Sequence, residues 1–490
     1  MVLGLSSAFA PLLPGQQPEQ AEPPTSQQQL EARASELLQA GFQAFQRGDL
    51  VNAVAETKRS LQIREKLYSA DQFPRGHPDL AASLNILGFL LRDQGSYGEA
   101  RVYCERALKM RESLYPRDQH PRGHPALADS LNAWGVLLQD QGSNGEARVY
   151  YERALKMRES LYPRDECPRG HPLLALSLNN LGNLLHAQGS YAEARVCHER
   201  ALKMRESLYS RDRYPRGHRD LASSLNNLGY LLKDQGSYAE ARVYHERALK
   251  MRESLYPRDE YPRGHLELAG SLSNLGALLL AQGSYAEARV YHERALRMLE
   301  SLYSRDRYPR GHRDLANSLN NLGGLLHAQG SYAEARVYYE RALKMQESLY
   351  PRDQYPRGHP ALAISLNNLG SLLQAQGSFG EARVCLDRAL KMLESLYPRD
   401  RYPRGHRDLA NNLNNLGHLL RDQGSYGEAR VYYERALRMR ESLYPRDEYP
   451  RGHLELANSL SNLGALLLAQ GSYAEARVYH ERALRMLESL

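Results

Sequence analysis

Tryptophan occurs once in this 490-residue sequence, phenylalanine six times and cysteine four times. The cysteines Cys104, Cys167, Cys197 and Cys385 stand singly, with no CxxC pair, which excludes a disulfide framework. No apolar run approaches the roughly 20 residues that span a bilayer, which argues against a helical membrane protein. A large charge of one sign is missing as well, because 64 Lys and Arg against 57 Asp and Glu leave only +7. With 42% hydrophobic and 25% charged residues, the chain is neither collagen-like nor wholly disordered. At about 150 residues per domain, this length would predict roughly three globular domains. Against these scarcities stand 33 tyrosines.

A repeat accounts for the tyrosines. Arg-Gly-His recurs with His at 77, 124, 171, 218, 265, 312, 359, 406 and 453, always 47 residues apart. A fixed period of this size marks a solenoid, so the three-domain expectation gives way to one quasi-linear array. The copy His218 to Gly264 shows the pattern. Leu221, Leu225, Leu228 and Leu232 form one apolar helical stripe, and Gly236 suits the left-handed position that ends a helix. Ser237-Tyr238-Ala239-Glu240 then reads as a capping box opening a second helix. That helix carries Ala241, Tyr244, Ala248, Leu249 and Leu255 inward until Pro257 stops it. Each copy is a helical hairpin followed by a loop.

These residues resemble the tetratricopeptide repeat. Leu225, Leu228, Gly229, Leu232, Gly236, Tyr238, Ala241 and Ala248 stand where that repeat of about 34 residues has its small and large packing positions. Glu253 replaces the motif's late proline, so the second helix should run longer, and the loop is extended. Ser-Leu-Asn-Asn-Leu-Gly with Glu-Ala-Arg and Glu-Arg-Ala-Leu is similar to kinesin-light-chain repeats, and to bacterial arrays often joined to caspase-like (CHAT) peptidases. The resemblance implies an all-α, right-handed superhelical solenoid whose first helices line a concave groove.

The motif alanine can be followed through Ala53, Ala100, Ala147, Ala194, Ala241, Ala288, Ala335, Ala382, Ala429 and Ala476, giving ten units. Residues 30–76 form a degenerate first unit, with Thr57 and Ser60 at packing positions, as suits a polar solenoid cap. Residues 77–490 supply nine more. Residues 1–29 read as a tail: Val2 to Leu13 looks signal-like, but it lacks a basic start and has Pro11 after Ala10. A cytoplasmic setting is therefore preferred to export. The helix ending at Leu490 has no polar cap after it, which points to self-association through that end, to a partner, or to a longer chain. His265–Leu302 and His453–Leu490 differ only at Gly270 and Asn458, a sign of duplication in blocks.

Variation between copies is concentrated in the first helix. One column reads Phe89, Val136, Asn183, Tyr230, Ala277, Gly324, Ser371, His418 and Ala465. Three residues on it reads Arg92, Gln139, His186, Lys233, Leu280, His327, Gln374, Arg421 and Leu468. A third reads Ala82, Asp129, Leu176, Ser223, Gly270, Asn317, Ile364, Asn411 and Asn458. Their spacing puts all three on one helix face. Beside them runs a ladder of Asn180, Asn227, Asn274, Asn321, Asn368, Asn415 and Asn462, often preceded by a second Asn. A carboxamide both donates and accepts, so it can pair with the backbone of an extended ligand without reading side chains. The competing reading is that these Asn bond neighbouring helices or local backbone. The candidate peptide-binding set is this ladder with Phe89, Arg92, Tyr230, Lys233 and Arg421.

Catalytic and metal signals are missing. The nine repeated His stand one per unit, too far apart to share zinc, and read as caps or loop packing. His-Glu-Arg-Ala-Leu at His198, His245, His292 and His480 lacks the second His of a zinc-protease motif. No phosphate-binding loop occurs, no nucleophile has a base beside it, and no cofactor is called for. Loop arginines such as Arg211, Arg213 and Arg216 are offset by acids, so nucleic acid is not favoured. The sequence therefore predicts a non-enzymatic scaffold that holds a protein segment in its groove. The alternatives are an arm of a peptidase system whose catalytic domain lies elsewhere, and an RNA-binding helical repeat.

Overall fold

The computed structural model describes residues 26–489, all of whose regular structure is helical: twenty helices in ten consecutive hairpins. The signal-like stretch and the rest of the expected tail through residue 25 lie outside the described residues, and the first helix begins at Ser26 and so takes in Ser26 to Gln29.

Unit 5 shows why each hairpin forms. His218 adopts an extended conformation, and its Nδ1 accepts the backbone N–H of Asp220 at 3.2 Å, capping the first helix Arg219–Asp234. The imidazole lies flat on Tyr209, ring centroids 3.6 Å apart. Both roles foreseen for the repeated histidine, cap and loop packing, are thus filled by one ring. At the hairpin corner Gly236 takes φ +77°, and the N–H of Ser237 returns to the Leu232 carbonyl at 2.8 Å. That closure is the left-handed helix end that glycine favours. The second helix Tyr238–Leu255 ends two residues before Pro257. The capping box does not form. Ser237 is the N-cap, but ψ 57° is outside the extended range usual for a capping serine, and its hydroxyl makes no cap bond. Glu240 instead reaches back to Arg195 of the preceding unit at 2.9 Å.

Leu221, Leu225, Leu228, Leu231 and Leu232 are buried against Ala241, Ala248 and Leu249. Gly229 lets the helices close on a large side chain, since a Cβ there would meet the His245 ring at 2.9 Å. Position 245 is Thr, Cys, Tyr, His or Leu in other units, always beneath that glycine. Burial pushes the imidazoles of His198, His245 and His292 down to about 4.

A buried polar chain joins units. Arg205 Nη1 donates to the Asp220 carbonyl at 2.7 Å and to Ser224 Oγ at 2.9 Å, both in the next unit, and Asn179 Nδ2 donates to the same Ser224 at 3.0 Å. Arg64, Arg111, Arg158, Arg252 and Arg440 repeat these two arginine bonds. Three consecutive units depart from it, with Leu299, Gln346 and Leu393 in the arginine position.

The array curves until it meets itself. The loops before units 7 to 10 settle on the hairpin corners of units 1 to 4. His312 lies beside Gly48, His359 and Pro360 beside Gly95, the Nε2 of His406 faces the Asp140 carbonyl at 3.5 Å, and that of His453 the Ala187 carbonyl at 3.2 Å. Tyr449 bonds Asn144, Arg313 pairs with Asp93 at 2.6 Å, and Tyr97 stacks near Tyr397. We call this contact the seam.

Candidate functional site

The curvature identifies the inner face. Consecutive first helices approach one another, whereas second helices stand further apart and are bridged by ion pairs between long side chains such as Arg153–Glu112 and Arg200–Glu159. First helices therefore line the concave side. The three variable columns lie along them.

The two Asn ladders separate in the structure. The first Asn of each pair is structural: Asn85, Asn179, Asn226 and Asn320 donate to Ser130, Ser224, Ser271 and Ser365 of the next unit, at 2.8 to 3.0 Å. Asn179 and Asn226 also meet the buried His198 and His245. The second Asn is left over. Among the described residues Asn227, Asn274, Asn321, Asn368 and Asn462 make no side-chain hydrogen bond within the chain, and Asn415 makes one long one, 3.4 Å to Asn367. Asn321 is exposed and the others are half-buried. Asn180 is the extreme case, with its Nδ2 buried and unpartnered. Towards the end of the array the carboxamides converge on a polar hollow of about 420 Å³ lined by Asn367, Asn368, Asn411, Asn415, Asn458 and Asn462.

The charged candidates are less free than the sequence indicated. Arg92 reaches Asp140 at the corner of the next unit, 3.4 Å away, and its guanidinium lies 4.9 Å over Phe89. His186 and Gln374 repeat the reach, to Asp234 at 2.9 Å and Asp422 at 2.6 Å. Where the next corner is Ala281 or Ala469, Lys233 and Arg421 turn to their own neighbours Asp234 and Asp422. Burial raises Asp140, whereas at Asp234 the burial penalty is outweighed by His186 and Lys233, and the carboxyl sits below its usual range. Tyr230 is the most open aromatic of the set, with Lys233 4.4 Å over its ring and His186 at its edge. The third column divides: Asp129, Ser223 and Asn411 accept from the buried arginines Arg158, Arg252 and Arg440, so part of its variation belongs to packing.

Cys197 is buried and Cys385 is half-buried, both in a column that carries half-buried Tyr in other units. Among the described residues no three His, Cys, Asp or Glu converge as a metal site would require, and no helix is long and apolar enough to cross a membrane.

Comparison with solved structures finds BtubC (BKLC) from P. vanneervenii, 24% identical over 53% of this chain and 92% of that one, TM-score 0.39. Rap protein complexed with competence and sporulation factor is 14% identical over 84% of this chain and 99% of that one, TM-score 0.46. A putative kinesin light chain with nearly identical TPR-like repeats from Podosopora anserina is 19% identical over 46% and 97%, TM-score 0.36. No curated protein matches the sequence. Tetratricopeptide repeat models match residues 79–160, 173–254, 267–348, 314–395 and 408–489, and a second such model matches 132–209. With most of its length so matched, the chain belongs to the tetratricopeptide repeat family.

Proposed function

We propose that the inner face binds a polypeptide segment in extended form, with the second Asn ladder gripping its backbone. Tetratricopeptide repeat proteins generally mediate protein–protein interaction, and the fold is typically non-catalytic. The observation that carries the finer reading is the division of labour between the ladders: one is consumed by packing, the other keeps carboxamide donors and acceptors unspent along the same face. The buried Asn180 Nδ2 costs free energy until something pairs with it, and the more open amides can exchange water for a peptide backbone. Tyr230 and Phe89, with cations held over their rings, supply side-chain selectivity along the way.

The test is affinity purification with the chain as bait, beside a variant carrying Asn227→Ala, Asn321→Ala and Asn368→Ala. A bound protein partner should be lost with the variant while helical circular dichroism is unchanged. A partner retained at full strength would reject the ladder as the grip. A ligand whose affinity falls steeply with salt would point to phosphates and so to nucleic acid.

A further inference from the structure

The seam uses two kinds of surface, corners on one rim of the coil and loops on the other, and each rim has unused members. The corners of units 1 to 3 carry neighbours at Gly48, Gly95 and Gly142, but a Cβ built at Gly236, Gly283, Gly330, Gly377, Gly424 or Gly471 meets nothing within 4 Å. On the other rim, the loops before units 7 to 10 bury His312, His359, His406 and His453, while the same ring in the loops before units 2 to 6 stays half-exposed. The chemistry of the free corners is that of the occupied ones. Asp422-Gln423-Gly424-Ser425-Tyr426-Gly427-Glu428 repeats Asp93-Gln94-Gly95-Ser96-Tyr97-Gly98-Glu99 residue for residue.

We propose that the free corners of units 6 to 10 receive the free loops before units 2 to 6 of a second copy of this chain, joining copies head to tail. Continuing the 47-residue screw places the second copy's first unit after unit 10. Its His77, His124, His171, His218 and His265 then face the carbonyls of Ala281, Ala328, Ala375, Asp422 and Ala469. These are the counterparts of His406 on Asp140 and His453 on Ala187. Such a contact is heterologous and leaves a free rim at each end, so it propagates into a filament. The rims hold the copies together and the end faces do not. Leu484, at a leucine position buried in most earlier units, and Leu487, which stands with Leu299 and Leu393 in the column of the buried arginines, are exposed on the last helix, but the first helix turns Arg33, Glu36, Gln39 and Gln43 outward, a poor match.

Sedimentation velocity across a concentration series tests this. The unaltered chain should gain mass with concentration. Gly380→Arg with Gly427→Arg, at corner positions where a Cβ meets nothing within 4 Å, should weaken association at least about tenfold while leaving helical content and the unfolding midpoint in place. Leu484→Glu with Leu487→Glu should still assemble. A chain that stays a single copy at every concentration overturns the proposal. So does a corner variant that assembles as before, or assembly abolished by the leucine pair alone, which would assign it to the end face.

Discussion

Tyr115 and Tyr397 are the same residue of the loops before units 3 and 9, and each stacks flat on its histidine, 3.6 Å from His124 and 3.5 Å from His406. In the first turn Tyr115 is half-exposed; in the second Tyr397 is 3% exposed, because a corner of the earlier turn lies over it. Local sequence cannot tell these tyrosines apart. What separates them is the rotation from unit to unit, summed until loop meets corner. The two regions differ inside as well. Interfaces of the first turn are joined by buried arginines, and those where the seam begins carry Leu299, Gln346 and Leu393 instead. The array is thus held from within in one region and increasingly from outside in the other.

The largest contrast should come from the tyrosines. Tyr397→Ala should cost about 3–5 kcal/mol of unfolding free energy, as for other buried aromatics, and Tyr115→Ala about 2 kcal/mol. Equal losses in urea titrations would mean that the turns do not touch in solution. Next is the internal chain. Arg158→Ala strands Ser177 and the Leu173 carbonyl and should cost about 3 kcal/mol. Arg158→Leu, the residue already at 299, should cost clearly less, and a loss as large as alanine's would show that the two kinds of interface are not interchangeable.

Acid probes both regions. His198, His245 and His292 are held neutral when folded, by burial, at about 4. Their contribution is complete above the unfolded value near 6.5 and is lost as pH falls from there toward 4. Replacing all three by Tyr, the residue at 151, 339 and 433, should flatten that slope. At the seam, burial holds His359 at about 4, whereas the half-exposed His124 is lowered by lighter burial. Proton NMR should find His359 titrating below His124, and the reverse order would contradict the seam. The smallest effect is on the outer face, which is alike in both turns. Arg153→Gln and Arg435→Gln each break one exposed ion pair and should each cost less than about 1 kcal/mol. A large difference between them would show that the seam reaches the convex side.

Much of the hairpin was legible because it is local. Leucine spacing, Gly236 and Pro257 each act within one turn of helix, and the period multiplies the signal. The capping box failed for an equally local reason, a Ser237 backbone angle fixed by the glycine before it. The two Asn ladders could be seen as neighbours but not as different in kind, since only the next unit's serine shows which amide is occupied. Likewise Arg92 and Arg421 look alike in sequence, and their partners depend on whether an Asp or an Ala stands 48 residues on. The seam left no sequence signal, because its partners are more than 200 residues apart and belong to the same repeated words.

A coil whose turns already touch has a solid length. Pushed along its axis, this array meets atoms at once, at Gly95 against Pro360 and Asn144 against Tyr449. Pulled, it first parts the seam's hydrogen bonds, the Arg313–Asp93 ion pair and the ring contacts around Tyr397, and then extends as a free helix of hairpins. Its stiffness should therefore be lopsided, hard in compression and yielding in tension. A segment held along the inner face could be drawn out with the coil but not shortened with it.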